Sequence, residues 1–304
     1  MTFTFVDLFS GIGGFHLGCT QLKGKCVAAC EIDPIARDIY EKNYNITPHN
    51  DIRTMKAIPG IDLVCAGFPC QSHSSLGKRK GFNDPRGELF YALVEFIKNS
   101  LPTVFLLENV MGLVTTNKGT NFEKVLDTLS ETGYNITWAI LDSHNFGLPQ
   151  HRKRVYIVGH KDRKFDFSEL HAWRSPKTII KDIMDEEAPD EILNCNIFKG
   201  HEMFDPPHET VTGFLLRAKL SNFTNRKLFS SNGIIGTMTT ASPPPIYDER
   251  HKMARHLSKT ELLRCQGFPT TFIFPKSFSR TKVVHYLGNS VSVNVIYAIV
   301  KAVR

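Results

Sequence analysis

Three short segments carry reactive side chains in an order that suits one chemistry. Cys70 lies in Gly67-Phe68-Pro69-Cys70-Gln71, Glu108 in Phe105-Leu106-Leu107-Glu108-Asn109-Val110, and Arg152 and Arg154 in Gln150-His151-Arg152-Lys153-Arg154. A thiolate is a strong nucleophile and a good leaving group. A carboxylic acid at a strand end can donate a proton, and an arginine can offset developing negative charge. Covalent activation of a pyrimidine ring needs this set, because ring carbon C5 is a poor nucleophile until something adds at C6. Lys78, Arg79 and Lys80 follow in the polar loop from about Gln71 to Gly87, where their charge would lower the thiol pKa.

A second group of residues reads as a ligand pocket. Asp7-Leu8-Phe9-Ser10-Gly11-Ile12-Gly13-Gly14 ends an apolar run in a glycine-rich turn, where backbone can approach a ligand and the next helix N-terminus favours a carboxylate or phosphate. It is not a dinucleotide fingerprint, since the third glycine counted from Gly11 falls on His16. Glu31, followed by Ile32, closes the next apolar run and can accept two ribose hydroxyls.

These residues need strands to end where they stand. Apolar runs at Phe3 to Phe9, Cys26 to Ile32, Ile61 to Ala66, Thr103 to Leu107, Ile136 to Leu141 and Val155 to Val158 read as strands. Helical spacing appears from Phe15 to Leu22, after Pro34, through Leu89, Phe90, Leu93, Val94 and Ile97, and through Phe122, Val125, Leu126 and Leu129. The alternation predicts an α/β protein with a doubly wound, mainly parallel sheet, whose ligands bind at the carboxyl ends of its strands. From about Lys161 to Tyr247 both periods fade, and Pro206-Pro207 and Pro243-Pro244-Pro245 interrupt them, which suggests a second, smaller domain. A helix returns from Leu257 to Cys265, with Ser258 and Glu261 spaced as a capping box, and Val291 to Val303 is a strongly apolar helix that needs a core to return to.

A chain of 304 residues, 41% hydrophobic, is long enough for one large domain and a small one. The net charge of +7 permits a polyanionic partner without proving one. The seven cysteines lack the paired clusters of a structural zinc site, so apart from Cys70 they read as buried reduced thiols. No signal segment or bilayer-spanning run is seen, and the expectation is a soluble, intracellular protein.

Taken together, these segments resemble the DNA cytosine-5 methyltransferases that use S-adenosylmethionine, restriction-modification enzymes among them. The likeness covers about residues 1–160 and 250–304. It implies a Rossmann-like methyltransferase fold, with a catalytic domain over 1–165 completed by 285–304, a target-recognition domain over 166–250 and a hinge and scaffold segment over 251–284. Phe9, Gly11 and Gly13 match the family's Phe-x-Gly-x-Gly, and Asp51-Ile52 its adenine-contacting pair. Gly288-Asn289-Ser290-Val291 matches the last motif, which completes the cofactor pocket. The implied cofactor set is Phe9, Gly11, Ile12, Gly13, Gly14, Glu31, Ile32, Asp51, Ile52, Pro69, Leu89, Asn289, Ser290 and Val291, with no metal.

The resemblance assigns Cys70 to attack at C6 and Glu108, its pKa raised by partial desolvation, to share a proton with cytosine N3. Asn109 would hold the loop and Val110 would pack near the cofactor. Arg152 would bond the base carbonyl O2, and Arg154 would hold the site together. The target cytosine must then leave the duplex stack. Gln71, Ser74, Lys78, Arg79, Arg226, Lys227, Thr237 and Met238 are the implied contacts to double-stranded DNA; for Arg217, Lys219, Arg226 and Lys227, surface solubility is an equal reading. Arg255, Glu261 and Gly267-Phe268-Pro269 match a scaffold motif. His73, where an aromatic residue is common, and Met238, in place of Leu, depart from the pattern. A monomer is expected, with a restriction endonuclease as functional counterpart but no stable protein partner. A tRNA cytosine-5 methyltransferase on the same scaffold is the main rival, and the late Cys-Phe-Thr signature usual in that branch is absent. A non-catalytic relative is disfavoured because every catalytic position is filled, and a nicotinamide dehydrogenase by the broken glycine pattern.

Overall fold

The computed structural model describes residues 2–69, 87–173, 177–187, 195–196, 215–217, 219–220, 227–241 and 243–304. The chain divides into two compact units: Met1–Asp142, Lys153–Arg174 and Ser290–Arg304 form the first, and Ser143–Arg152 with Ser175–Asn289 the second. These bounds differ from those expected: Ser143–Arg152 and 285–289 go with the second unit, and 166–174 with the first. The first shift follows from bonds that tie this segment to the rest of the second unit: Gln150 Nε2 donates to the Cys265 carbonyl (3.1 Å) and Arg152 Nη2 to the Gly288 carbonyl (2.9 Å).

The first unit is built on a six-stranded sheet. Its strands are β1 (Phe3–Leu8), β2 (Gly24–Cys30), β3 (Leu63–Ala66), β4 (Val104–Val110), β5 (Asn135–Asp142) and β6 (Lys153–His160), in the order β2-β1-β3-β4-β6-β5. The pairs β1–β2, β1–β3 and β3–β4 are parallel, while β6 runs antiparallel to both β4 and β5. Strand order reverses between β1 and β3, the switch point at whose carboxyl ends open α/β sheets bind ligands. Phe105, Leu106 and Leu107 are wholly buried. A central strand covered on both faces reads as a continuous apolar run, which is why β4 shows no alternation.

Helices α1 (Gly14–Thr20), α2 (Pro34–Tyr44), α3 (Gly87–Ser100), the single turn α4 (Gly112–Thr115) and α5 (Thr120–Ser130) connect the strands. Asp33 caps α2 by accepting from the N–H of Ile35 (2.8 Å), with Pro34 at the first position and Asn45 in the left-handed conformation closing the helix. Phe90, Leu93, Val94 and Ile97 of α3 and Phe122, Val125 and Leu129 of α5 join Val64, Phe105 and Ile157 of the sheet in one core.

The second unit contains the sheet β12-β11-β10-β8, formed by β8 (Leu215–Arg217), β10 (Lys227–Ser230), β11 (Pro245–Asp248) and β12 (Met253–His256). A two-stranded pair joins β7 (Cys195–Asn196) and β9 (Lys219–Leu220). Strands of two to four residues leave too little alternation to read from sequence. The unit also holds α6 (Lys259–Gln266), with Ser258 and Glu261 forming the expected capping box, and α7 (Arg280–Asn289). The apolar helix α8 (Val293–Val303) belongs to the first unit. One sequence expectation is corrected here: Arg280–Val303 is long and apolar enough to cross a bilayer, but 72% of its most apolar window is buried in the fold.

Candidate active site

The turn after β1 takes the left-handed conformation three times, at Phe9 (φ 52°), Gly11 (φ 52°) and Gly13 (φ 87°). Glu31, just past β2, supports it from the side. Its Oε2 accepts the Gly11 N–H at 2.8 Å and its Oε1 the Asp33 N–H at 2.9 Å. Burial pushes the Glu31 carboxyl above its ordinary range, with the N–H groups of Asp33 and Gly11 opposing. A carboxylate has about four acceptor positions, so two N–H bonds do not exhaust it. Ile32 stands beside it 64% exposed, an apolar side chain held in solvent at a strand end. Gly14 lets the segment before α8 close in: a Cβ there would lie 2.5 Å from Ser290 Oγ and 2.7 Å from Val291 Cγ2. Thus Gly11 meets Glu31, and Gly14 meets Ser290 and Val291, although these segments are far apart in sequence.

Asp51 has a different occupation. Its carboxylate binds the Arg53 guanidinium (Oδ2–Nη2, 2.6 Å) and caps the turn Ile52–Thr54, and the bonds from Arg53 hold it below the usual carboxylate range. Ile52 is buried in the core, against which Leu89 packs.

The ends of β3 and β4 meet beyond the switch point. Asn109 Nδ2 donates to the Phe68 carbonyl at 2.8 Å, tying Gly67-Phe68-Pro69 to the end of β4. A Cβ on Gly67 would lie 3.8 Å from Glu108 Oε2. Glu108 is 8% exposed, and Arg154 Nε stands 3.3 Å from its Oε1. The antiparallel register explains this pair, because Val110 sits opposite Arg154 and Glu108 opposite Tyr156, leaving acid and base diagonal neighbours. Cys70, Gln71, His73, Ser74, Lys78, Arg79 and Arg226 lie outside the described residues, as does the side chain of Lys227.

Arg152, Thr237, Met238 and Asn289 belong to the second unit. Arg152 is 3% exposed, and its Nη1 and Nη2 donate to the carbonyls of Met238 (3.2 Å) and Gly288 (2.9 Å). Gln150 Oε1 accepts the Met238 N–H at 2.8 Å, so that residue's main chain is gripped on both sides. Gln150 Nε2 donates to Cys265 O and Gln266 Oε1, and Thr237 Oγ1 donates to His151 O. Thr237 is exposed, but the Met238 side chain is buried at 2%. Of the pair expected to face DNA, Thr237 thus presents its side chain to solvent and Met238 turns its side chain inward.

The family model for C-5 cytosine-specific DNA methylases matches residues 3–304. The chain belongs to that family. The type II methyltransferase M1.ScrFI of Lactococcus lactis subsp. cremoris is 36% identical, over 97% of this chain and 76% of its own length. Type II methyltransferase M.HpaII of Haemophilus parainfluenzae is 34% identical, over 97% and 87% respectively. Among solved structures, S. pombe Dnmt2 aligns with a TM-score of 0.75 at 20% identity, covering 98% of this chain and 97% of its own. The Entamoeba histolytica methyltransferase EhMeth aligns at 0.71 with 17% identity, over 99% and 98%. At such identities these two show the shared fold.

Within this methylase, three supporting residues escape a reading by sequence. Gln150 looks like one more polar residue in a basic segment, and nothing local marks it as fully buried. Asp248 shares Arg255 with Glu261, a partnership set by the β11–β12 register rather than by a motif. Tyr44 reaches back from the end of α2 to the glycine turn.

Proposed function

We propose that this methylase transfers the methyl group of S-adenosylmethionine to C5 of a cytosine in a specific duplex DNA sequence, through a covalent bond between Cys70 Sγ and C6. One observation carries the proposal furthest: the end of β4 brings Glu108 beside Gly67 while Asn109, the next residue, anchors Phe68, two positions before Cys70. Acid and nucleophile segment are thereby held to one strand end. Addition of the Cys70 thiolate at C6 builds electron density on the ring, which a proton from Glu108 to N3 would relieve. Arg152 would face O2 and Arg154 would keep Glu108 in place. Once C5 has taken the methyl group, its proton would pass to water, the electron pair would re-form the C5–C6 double bond, and the Cys70 thiolate would leave. The cytosine must be flipped out first.

The residues present fit the cofactor. Glu31 retains acceptor positions for ribose hydroxyls, Ile32 offers an exposed apolar face for an adenine, and a Cβ at Gly11 would meet nothing within 4 Å. Phe9, Ile12, Gly13, Gly14, Asp51, Ile52, Pro69, Leu89, Asn289, Ser290 and Val291 complete the proposed pocket. The cofactor would supply an electrophilic methyl group on a sulfonium, and no metal is required. As with relatives named type II methyltransferases, the proposed setting is a restriction-modification system in the compartment that holds the DNA, with the enzyme acting as a monomer.

The test uses duplex DNA carrying 5-fluorocytosine, from which fluorine cannot leave as a proton does. A stable adduct is expected only with cofactor present, and Cys70→Ala should abolish adduct and turnover. Normal turnover by that variant would overturn the covalent route, and methylation of tRNA but not duplex DNA would overturn the substrate.

A further inference from the structure

The glycine turn is shaped from behind by an aromatic group that the chemistry above does not use. Tyr44, the last residue of α2, donates its hydroxyl in a bifurcated bond to the carbonyls of Ile12 (3.1 Å) and Gly13 (3.0 Å). Its ring fills the space Gly13 leaves open: a Cβ there would fall 2.2 Å from Tyr44 Cε2. His16 of α1 stacks on that ring with centroids 3.9 Å apart and planes 19° apart, and Tyr40 packs edge-on at 4.6 Å. His16 Nδ1 pairs with the Tyr40 hydroxyl at 2.8 Å, and that hydroxyl lies 3.4 Å from the fully buried Asp7 Oδ2. Burial brings the His16 pKa down to about 4, so a neutral ring does the stacking, and burial raises the Tyr44 phenol, which keeps it a donor.

We propose that Tyr44 is a positioning residue for S-adenosylmethionine, acting through the Ile12 and Gly13 carbonyls. A glycine at positive φ can present its flanking peptides in several ways. One hydroxyl bonded to two consecutive carbonyls selects a single presentation, and both oxygens are drawn toward Tyr44. The turn then meets its ligand already ordered, and ordering before binding is worth affinity. This inference rests on the cofactor assignment made above.

Calorimetry of S-adenosylmethionine binding to the full chain tests it. Tyr44→Phe keeps the ring and loses the hydroxyl; the Kd should rise about three- to tenfold, the scale of one hydrogen bond. KM for cofactor should rise with it, while kcat at saturating cofactor falls far less. Gly13→Ala, which pushes the ring away from the opposite side, should also raise the Kd. A merely structural role would lower the melting temperature and leave the Kd of the folded protein unchanged. Wild-type Kd values in both variants would overturn the positioning role alone. Absence of S-adenosylmethionine binding by the wild type would overturn the cofactor assignment and this inference with it.

Discussion

Replacing Arg255 by methionine should destabilise the second unit by about 3 kcal/mol at pH 7. Arg255 is fully buried and serves two carboxylates: Nε donates to Asp248 Oδ2 at 2.8 Å, and Nη1 and Nη2 donate to Glu261 at 2.8 and 2.9 Å. Removing one partner of such a cluster typically costs about 3–5 kcal/mol, because charge is left buried and unbalanced. The lower end applies here. Asp248 keeps the N–H groups of Arg250 and His251 and the His251 ring, and Glu261 keeps the N–H groups of Ser258 and Asp185. Arg255→Lys, retaining charge without the planar fork, should fall in between.

The pH dependence gives a second handle on the same variant. Burial by itself would raise the Asp248 carboxyl, yet the bonds from His251 and Arg255 hold it below its ordinary range. A depressed folded pKa contributes stability above the unfolded value, about 3.9, and that stability is lost as pH falls through the folded value. Without Arg255, burial dominates and the Asp248 carboxyl rises, so its protonation on acidification relieves the variant. The gap between wild type and Arg255→Met should therefore narrow from pH 7 toward pH 4. Because two units need not unfold together, hydrogen exchange at the amides of β12 and α6 is the measurement. A loss under about 1 kcal/mol, or a gap that widens in acid, would refute this account of the cluster.

Two further outcomes are expected. Glu108→Gln preserves size but cannot deliver a proton in the same way, so single-turnover methylation of duplex DNA should slow by roughly 10²–10⁴-fold, and loss of the charge 3.3 Å from Arg154 Nε should lower the melting temperature as well. Gly14→Ala places a Cβ 2.5 Å from Ser290 Oγ and 2.7 Å from Val291 Cγ2. Overpacking of that kind costs about 1–3 kcal/mol, which should appear in calorimetry as a fall in melting temperature of about 2–10 °C and as weaker cofactor binding.

The first unit was largely legible from sequence because four of its six strands, β1 to β4, come from apolar runs that lead into Phe9, Glu31, Gly67 and Glu108. Periodicity fixes the strands, and strand ends fix where ligands go. The antiparallel direction of β6 was not legible, since apolar pattern carries no direction, and with it went the Glu108–Arg154 contact. The second unit was read poorly for another reason. Its strands are very short and its order comes from buried polar groups such as Gln150, Arg152 and Asp248, whose partners lie 80 or more residues away (Arg152 to Met238, Gln150 to Gln266) or across a turn. Composition favours an exposed site for such residues, and tertiary contacts alone bury them.

The first unit is also discontinuous in a particular way: Ser290–Arg304 joins it only after the whole of Ser175–Asn289. During synthesis at roughly 5–20 residues per second, α8 would emerge on the order of ten seconds after β6. For that interval α1 has no α8 beside it, and the glycine turn lacks Ser290 and Val291 against Gly14. A nascent chain thus carries Cys70 and Glu108 well before Ser290 and Val291 arrive beside Gly14. The face of α1 that α8 covers is therefore the last part of the first unit to be buried.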